Sequence, residues 1–406
     1  MKEKKLVPKR RFKEFQNIAA WEQRKLGEVT DIFDGTHQTP KYTKSGVKFV
    51  SVENISNLET KKYISKEAYD KEYSKKQAEK GDVLMTRIGD IGTSKVIETD
   101  QPLAYYVTLA LLKPKDVDSE FLSWAIASPE VQRDIWKRTL HIAFPKKINL
   151  GEINQVKLML PKVTEQKAIG QFFKSLNNLI TLHQRKLEKT KALKSAYLAE
   201  LFPTEGERVP KRRFAGFTGE WKEDKLGNIT DVRDGTHDSP KYHSEGHPFI
   251  TSKNVKNGMI SYEDIQYISD IDFEKINKRS KVDQNDILMG MIGTIGNMAL
   301  IKKKPDFAIK NVALIKDIKK INYLYLYHYL ESPIIIKQLS EDMDGGTQKF
   351  ISLNKIRNLI IEVPELDEQI RVSEFFRKLD DSITNQQQKL DKLKAMKQAY
   401  LQEMFV

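Results

Sequence analysis

Two carboxylates and a lysine, Asp306, Asp317 and Lys319, come nearest in this sequence to a set that could break bonds. A carboxylate pair can hold Mg²⁺ while a lysine stabilises charge developing on a phosphate. Such spacings arise often where 31% of residues are charged, and the first half of the chain has nothing equivalent. An autonomous Mg²⁺-dependent nuclease is therefore kept only as an alternative. Other catalytic signatures are missing. There is no Gly-Lys dipeptide, which excludes a Walker-type phosphate loop and argues against an ATPase or helicase. Neither Asp-Pro-Pro nor Asn-Pro-Pro occurs, so the catalytic tetrapeptide of amino-methyltransferases is absent. Gly89-Asp90-Ile91-Gly92 and Gly293-Thr294-Ile295-Gly296 are too short for a dinucleotide fingerprint and read as glycine turns after strands. No Gly-x-Ser-x-Gly elbow marks a nucleophile. Cysteine is absent, which excludes disulfides, thiolate catalysis, iron–sulfur clusters and cysteine-bound zinc. The expectation is a chain with no catalytic residues, no metal site and no cofactor of its own.

The remaining polar motifs suit binding. Asp34-Gly35-Thr36-His37 and Asp234-Gly235-Thr236-His237 read as aspartate-initiated turns, with glycine at a special backbone angle. Basic residues number 69 against 56 acidic, a net charge of +13, and this excess favours polyanionic partners through counterion release. It is uneven: the first 203 residues hold 37 basic and 25 acidic side chains, the rest 32 and 31. No stretch is apolar enough for a membrane span, and the charged start, Met1-Lys2-Glu3-Lys4-Lys5, leads into no apolar run. A cytoplasmic protein is expected.

The elements that must position these motifs come in two copies. Val7-Pro8-Lys9-Arg10-Arg11-Phe12 recurs as Val209-Pro210-Lys211-Arg212-Arg213-Phe214, and Trp21 as Trp221. The turn motif extends in both copies to Pro40-Lys41-Tyr42 and Pro240-Lys241-Tyr242. Asp82-Val83-Leu84-Met85 returns as Asp286-Ile287-Leu288-Met289, and Glu165-Gln166 as Glu368-Gln369. A repeat this long is a duplicated domain, and two copies supply the pseudo-two-fold symmetry suited to two half-sites on DNA. The expected order is a basic N-terminal segment (1–20), a mixed α/β block (21–163), a long helix (164–202), a linker (203–220), a second block (221–366) and a second long helix (367–406). The fold class is α+β. Apolar residues at three-four spacing form a seam in each long helix: Ile169, Phe173, Leu176, Ile180 and Leu187, then Val372, Phe376, Leu379, Ile383 and Leu390. An antiparallel coiled-coil pair follows, although two helices each lying on its own block would show similar spacing.

This layout resembles the DNA-specificity subunit of type I restriction–modification systems. The motifs that carry the resemblance are Asp-Gly-Thr-His-x-x-Pro-Lys-Tyr at 34–42 and 234–242, the Asp-Val/Ile-Leu-Met stretches, the loop Gly345-Gly346-Thr347-Gln348-Lys349-Phe350-Ile351, and the Glu-Gln start of each long helix. The first copy departs at that loop, with Leu140-His141-Ile142-Ala143-Phe144-Pro145-Lys146-Lys147. The resemblance implies two target-recognition domains, each reading half of a split, asymmetric double-stranded DNA sequence. The helix pair would set the spacer and dock two methyltransferase subunits that methylate adenine from S-adenosylmethionine. Motor–nuclease restriction subunits using ATP and Mg²⁺ would join them. On that footing the candidate DNA contacts are Thr36, His37, Gln38, Lys41 and Tyr42, and their counterparts Thr236, His237, Asp238, Lys241 and Tyr242. Positions that differ between the copies are the better candidates for reading bases: Gln38 against Asp238, Arg87, suited to guanine, against Met291, and Lys146-Lys147 against Gln348-Lys349, with Thr347 a further candidate beside them. Lys253-Asn254 and Lys310-Asn311 are further polar pairs. A coiled-coil scaffold that binds only proteins is the second alternative.

Overall fold

A computed structural model describes residues 7–256, 258–341 and 349–406. Compactness divides the chain into two units: residues up to 185 together with 388–406, and residues 186–387. The linear division expected from sequence puts the long helices in segments of their own. Each compact unit joins one block to part of both long helices.

In the first unit, Val83–Ile88 lies inside a four-stranded antiparallel sheet. The order is Thr30–Asp34, Leu109–Pro114, Val83–Ile88, Asp90–Val96. Alternation along the strand sends Val83 and Met85 into one apolar core and Leu84 into another, so the run is buried on both faces. The second core includes a three-stranded sheet, Tyr63–Ile64, Val47–Val50 and Leu103–Tyr105, whose last pair is parallel. Glu22–Lys25 pairs with Lys157–Leu160 just before the long helix Val163–Glu200.

The second unit repeats this plan. Its four-stranded sheet runs Asp231–Asp234, Val312–Lys316, Ile287–Gly290, Met298–Leu300, and its three-stranded sheet runs Gln266–Ile268, His247–Thr251, Ala308–Lys310. Again the last pair is parallel, and Lys222–Lys225 pairs with Ile360–Val363 ahead of the helix Leu366–Glu403. Ile287 and Met289 face one core and Leu288 the other.

Each long helix has 38 residues, about 57 Å at ~1.5 Å per residue. Within the first unit, the start of Val163–Glu200 lies antiparallel to the end of Leu366–Glu403. Phe172 meets Tyr400 at 5.1 Å and Phe173 meets Phe405 at 5.7 Å. Within the second unit the end of the first helix meets the start of the second, through Tyr197–Phe375 at 4.8 Å and stacked Phe202–Phe376 at 5.6 Å. Of the seam residues, Ile169, Phe173, Leu176, Leu187, Val372, Phe376 and Leu390 are buried, while Ile180, Leu379 and Ile383 are half-buried. The two sequence-level pictures turn out to be compatible. Ile169 and Phe173 belong to the first block's core and Val372 and Phe376 to the second's, so each helix start lies on its block while pairing with the other helix.

The repeated Arg-Arg-Phe and Glu-Gln motifs interlock. Arg11 grips Glu165 through two bonds of 2.6 Å, and Arg213 grips Glu368 through two of 2.7 Å. Gln166 accepts the Asp118 amide at 2.9 Å and donates to the Pro161 carbonyl; Gln369 does the same with Asn322 and Pro364. Arg10 reaches Glu403 and Arg212 reaches Glu200, each at 2.6 Å. These basic residues therefore fasten the ends of the long helices within each unit.

Candidate nucleic-acid interface

The Asp-Gly-Thr-His turns follow the first strand of each four-stranded sheet. Their glycines do not have the left-handed backbone that the sequence suggested. They are needed because the neighbouring chain is close: a Cβ on Gly35 would sit 2.3 Å from the Tyr105 carbonyl oxygen, and one on Gly235 would sit 2.4 Å from that of Ile309. That closeness lets the Thr36 amide donate to Tyr105 and the Thr236 amide to Ile309, at 3.2 and 3.0 Å. Thr36 is buried and its hydroxyl accepts the Gln38 amide; Thr236 accepts that of Asp238. The threonines thus shape the turn and leave the next residues exposed.

His37 is exposed, and its Nε2 lies 2.6 Å from Asp34 Oδ2. His237 is held at both nitrogens: Nε2 lies 2.9 Å from Asp234, and Nδ1 lies 2.7 Å from Asn311 Oδ1. Asn311 has φ 53°, in the left-handed region that asparagine tolerates. Its amide donates to the Thr236 carbonyl. Arg279 also binds Asp234, a contact that nothing in the sequence pattern announced. Lys41, Gln38, Lys241 and Asp238 are exposed. Tyr42 and Tyr242 present exposed rings braced edge-on or tilted against Phe49 and Phe249, and Lys62 sits over the Tyr42 ring at 5.7 Å.

Among the positions that differ between copies, Arg87 is not presented to solvent. It is 7% exposed, and it donates to the Ile148 and Val107 carbonyls, both at 3.3 Å, with Asp34 at 3.7 Å. Burial lowers its pKa, and Asp34 offsets only part of that. The Arg87 side chain joins the histidine turn to loop 140–147, because Val107 donates its amide to Thr36 and Ile148 donates its own to Arg87. In the second copy Ser252 does comparable work: its hydroxyl donates to the Asn311 carbonyl at 2.7 Å and accepts the Met291 amide at 3.2 Å. Asn254 is buried, with its Oδ1 accepting from the Thr251 amide and its amide nitrogen donating to the Ser261 carbonyl, so it locks a turn; Lys253 beside it is exposed. Lys310 is half-buried and contacts the Ser239 hydroxyl.

Lys146 and Lys147 are exposed on loop 140–147. The loop base is closed by the Leu140 amide on Lys147 and the Gly89 amide on Lys146, both at 2.8 Å. The second copy has the same anchoring, with Gly293 donating to Lys349 and Ile351 to Met291. Thr347 and Gln348 lie outside the described residues; Lys349 is exposed. The apolar tip of the first loop, Ile142 and Phe144, and neighbouring Trp136 are exposed as well, and no polar motif in the sequence marks them. The structure gives no support to the alternative nuclease set of Asp306, Asp317 and Lys319. Asp306 partners His247 at 2.9 Å, while Asp317 caps its own turn by accepting the Lys319 amide at 3.1 Å. Among the described residues, the one group of three potential metal ligands is His328, Glu331 and Asp380, and the Lys194 ammonium already bridges its two carboxylates at 2.6 and 2.7 Å.

The chain thus carries the same turn twice, each copy followed by a loop anchored at its base to the same strand region. A family profile for the type I restriction modification DNA specificity domain also matches twice, at residues 19–192 and 218–395. The chain belongs to this family. It is 25% identical over 387 residues to the MjaX specificity subunit of a type I restriction enzyme in Methanocaldococcus jannaschii (a provisional assignment), covering 89% of this chain and 87% of that one. It is 24% identical to the EcoBI specificity subunit of Escherichia coli over 61% of this chain and 60% of the other. Its fold is similar to the crystal structure of a type I restriction-modification S subunit from M. genitalium, with a TM-score of 0.68 at 14% identity, over 98% of this chain and 99% of that one. Among the described residues no helix is long and apolar enough to cross a membrane.

Proposed function

We propose that this family member is the specificity subunit of a type I restriction–modification complex and carries no catalysis itself. Each block reads one half of an asymmetric bipartite DNA site, the exposed turn and loop residues touching bases and phosphates. The long helices set the spacer and dock two methyltransferase subunits, which use S-adenosylmethionine to methylate adenine. ATP and Mg²⁺ serve the restriction subunits. The complex works in the cytoplasm. The observation that carries this reading is the duplicated turn with its histidine, lysine and tyrosine exposed, set in a chain that matches the specificity-domain family in both halves.

The reading predicts different half-sites, because the copies share the turn but differ at the loops and at the groups that brace the turn, Arg87 in the first and Ser252 and Asn311 in the second. Methylation-sensitive sequencing of DNA from cells expressing this chain with its modification subunit should show one split motif methylated on adenine in both halves. Methylation at an unsplit motif, or none, would overturn the proposal. The spacer can be tested by insertion, though not at Leu201–Pro203. Leu201 and Phe202 are buried in the second unit's core, and an insertion there would disrupt it. Matched heptad insertions after Arg185 and before Gln388 should lengthen the spacer and leave both half-sites unchanged.

A further inference from the structure

The most exposed large apolar side chains among the described residues are Phe144, at 104%, and Ile142, at 98%. They stand together at the tip of loop 140–147, and the loop is not slack. Leu140 and Lys147 bridge across its base, Lys147 also bridges to Ile88, and the Gly89 and Ile148 amides donate to Lys146 and Arg87. Trp136, 54% exposed, flanks the loop, with the His141 ring at 4.3 Å and the Lys146 ammonium at 4.7 Å from its own. From Ile135 to Gly151 there is no acidic residue, whereas Lys137, Lys146 and Lys147 are exposed. Apolar wedges ringed by cations on a fastened loop suit a polyanion whose interior is apolar and stacked.

We propose that Phe144, with Ile142 behind it, wedges between adjacent base pairs of duplex DNA at the half-site read by the first block. The inference rests on the DNA-specificity reading and deepens it. Lys146 and Lys147 hold the phosphates on either side, and the ring unstacks one step. A wedge of this kind kinks a duplex by roughly 20–90°. The first half-site would then be selected partly by how easily that step deforms, at positions where no side chain reads a base edge.

The test uses the full chain assembled with its modification subunits and an end-labelled duplex carrying its bipartite site. Phe144→Ala and the double variant Ile142→Ala/Phe144→Ala should weaken binding about tenfold and lower the end-to-end energy transfer that reports the bend. Phe144→Trp should retain both, and Lys147→Ala should weaken binding with a shallower salt dependence while the bend persists. Since both apolar side chains are fully exposed, melting temperatures should not change. Unchanged affinity and bend in Phe144→Ala would overturn the wedge. So would loss of the modification subunits from the assembly, which would make the tip a protein-docking point. Absence of site-selective binding by the unsubstituted assembly would instead refute the specificity-subunit reading itself.

Discussion

Glu362 lies in the strand Ile360–Val363, on the face opposite core-facing Ile361, yet it is 4% exposed, with its Oε2 lacking any hydrogen-bond partner among the described residues. Burial pushes its pKa up from 4.5 to about 7. The register of the paired strands shows what the first copy does instead: Glu362 faces Glu223, and in the equivalent pair Met159 faces Gln23. The folded unit holds the Glu362 proton more tightly than the unfolded chain does. Between pH 4.5 and about 7 it therefore binds more protons folded than unfolded, and its contribution to stability falls as pH rises. Raising an acid from 4.5 to about 7 corresponds to about 3 kcal/mol of preference for the neutral form, an upper bound because an ionised carboxylate would draw in water. Glu362→Gln and Glu362→Met should thus stabilise the protein by about 2 kcal/mol at pH 8 and by less than about 0.5 kcal/mol at pH 4.5. Urea unfolding at the two pH values, followed by circular dichroism and by tryptophan emission, measures the difference. Trp221 is the one tryptophan in the second unit, so its emission reports the change where it arises. A gain of the same size at both pH values would refute the reasoning, since it would mean that packing rather than charge burial decides the effect.

Four further outcomes follow from the geometry. Arg11→Ala should cost about 3 kcal/mol, because Glu165 is left buried and unpaired, and Arg11→Met/Glu165→Met should recover most of it; thermal denaturation of the two variants compares them. Lys194→Met should cost about 3 kcal/mol by stranding Glu331 and Asp380, whereas Lys397→Met should be neutral or stabilising, which urea titration at pH 7 would show. His37→Ala should weaken binding at the first half-site about tenfold and leave the second unchanged, and His237→Ala the reverse; gel shifts against duplexes scrambled in one half separate the two. Removing one exposed loop lysine, Lys147→Ala or Lys253→Ala, should reduce the slope of log affinity against log salt by about one.

The architecture was legible because a repeat this long exposes itself in the residues that close it. Trp21 and Trp221, Glu165 and Glu368, and Gln166 and Gln369 recur since the same joint must be made twice, and three-four spacing gave the long helices to within a few residues. Side-chain roles were less legible. Arg87 carries the residue type of a guanine reader, but its direction depends on the Ile148 and Val107 carbonyls, which lie 61 and 20 residues away. Asn254 resembles a surface amide in sequence, yet its three-residue offset from Thr251 makes it a turn lock. The glycines at 35 and 235 suggested a turn dihedral, and only the approach of a distant strand reveals them as spacers. Local types and spacing encode what a segment becomes; which polar group meets which carbonyl is fixed by tertiary contact.

Duplication leaves one further constraint. At the joint where the helices pair in the second unit, Lys194 is buried against Glu331 and Asp380, with the buried His328 alongside; these carboxylates outweigh burial and raise the lysine's pKa. At the matching joint in the first unit, Lys397 lies over the Trp124 ring at 4.6 Å and donates to Asn177 at 2.9 Å; burial, with no carboxylate to oppose it, lowers its pKa. Each lysine suits only its own surroundings. Set against Trp124 and Asn177, Lys194 would leave Glu331 and Asp380 without their shared ammonium, with only His328 and the Tyr327 hydroxyl near them, and breaking a buried ion pair costs about 3 kcal/mol or more. Two copies descended from one ancestor could exchange helix partners, and this buried difference in charge opposes the exchange. Under the proposed function the two halves must stay distinct to recognise different sequences, and this difference in buried charge helps to keep them so.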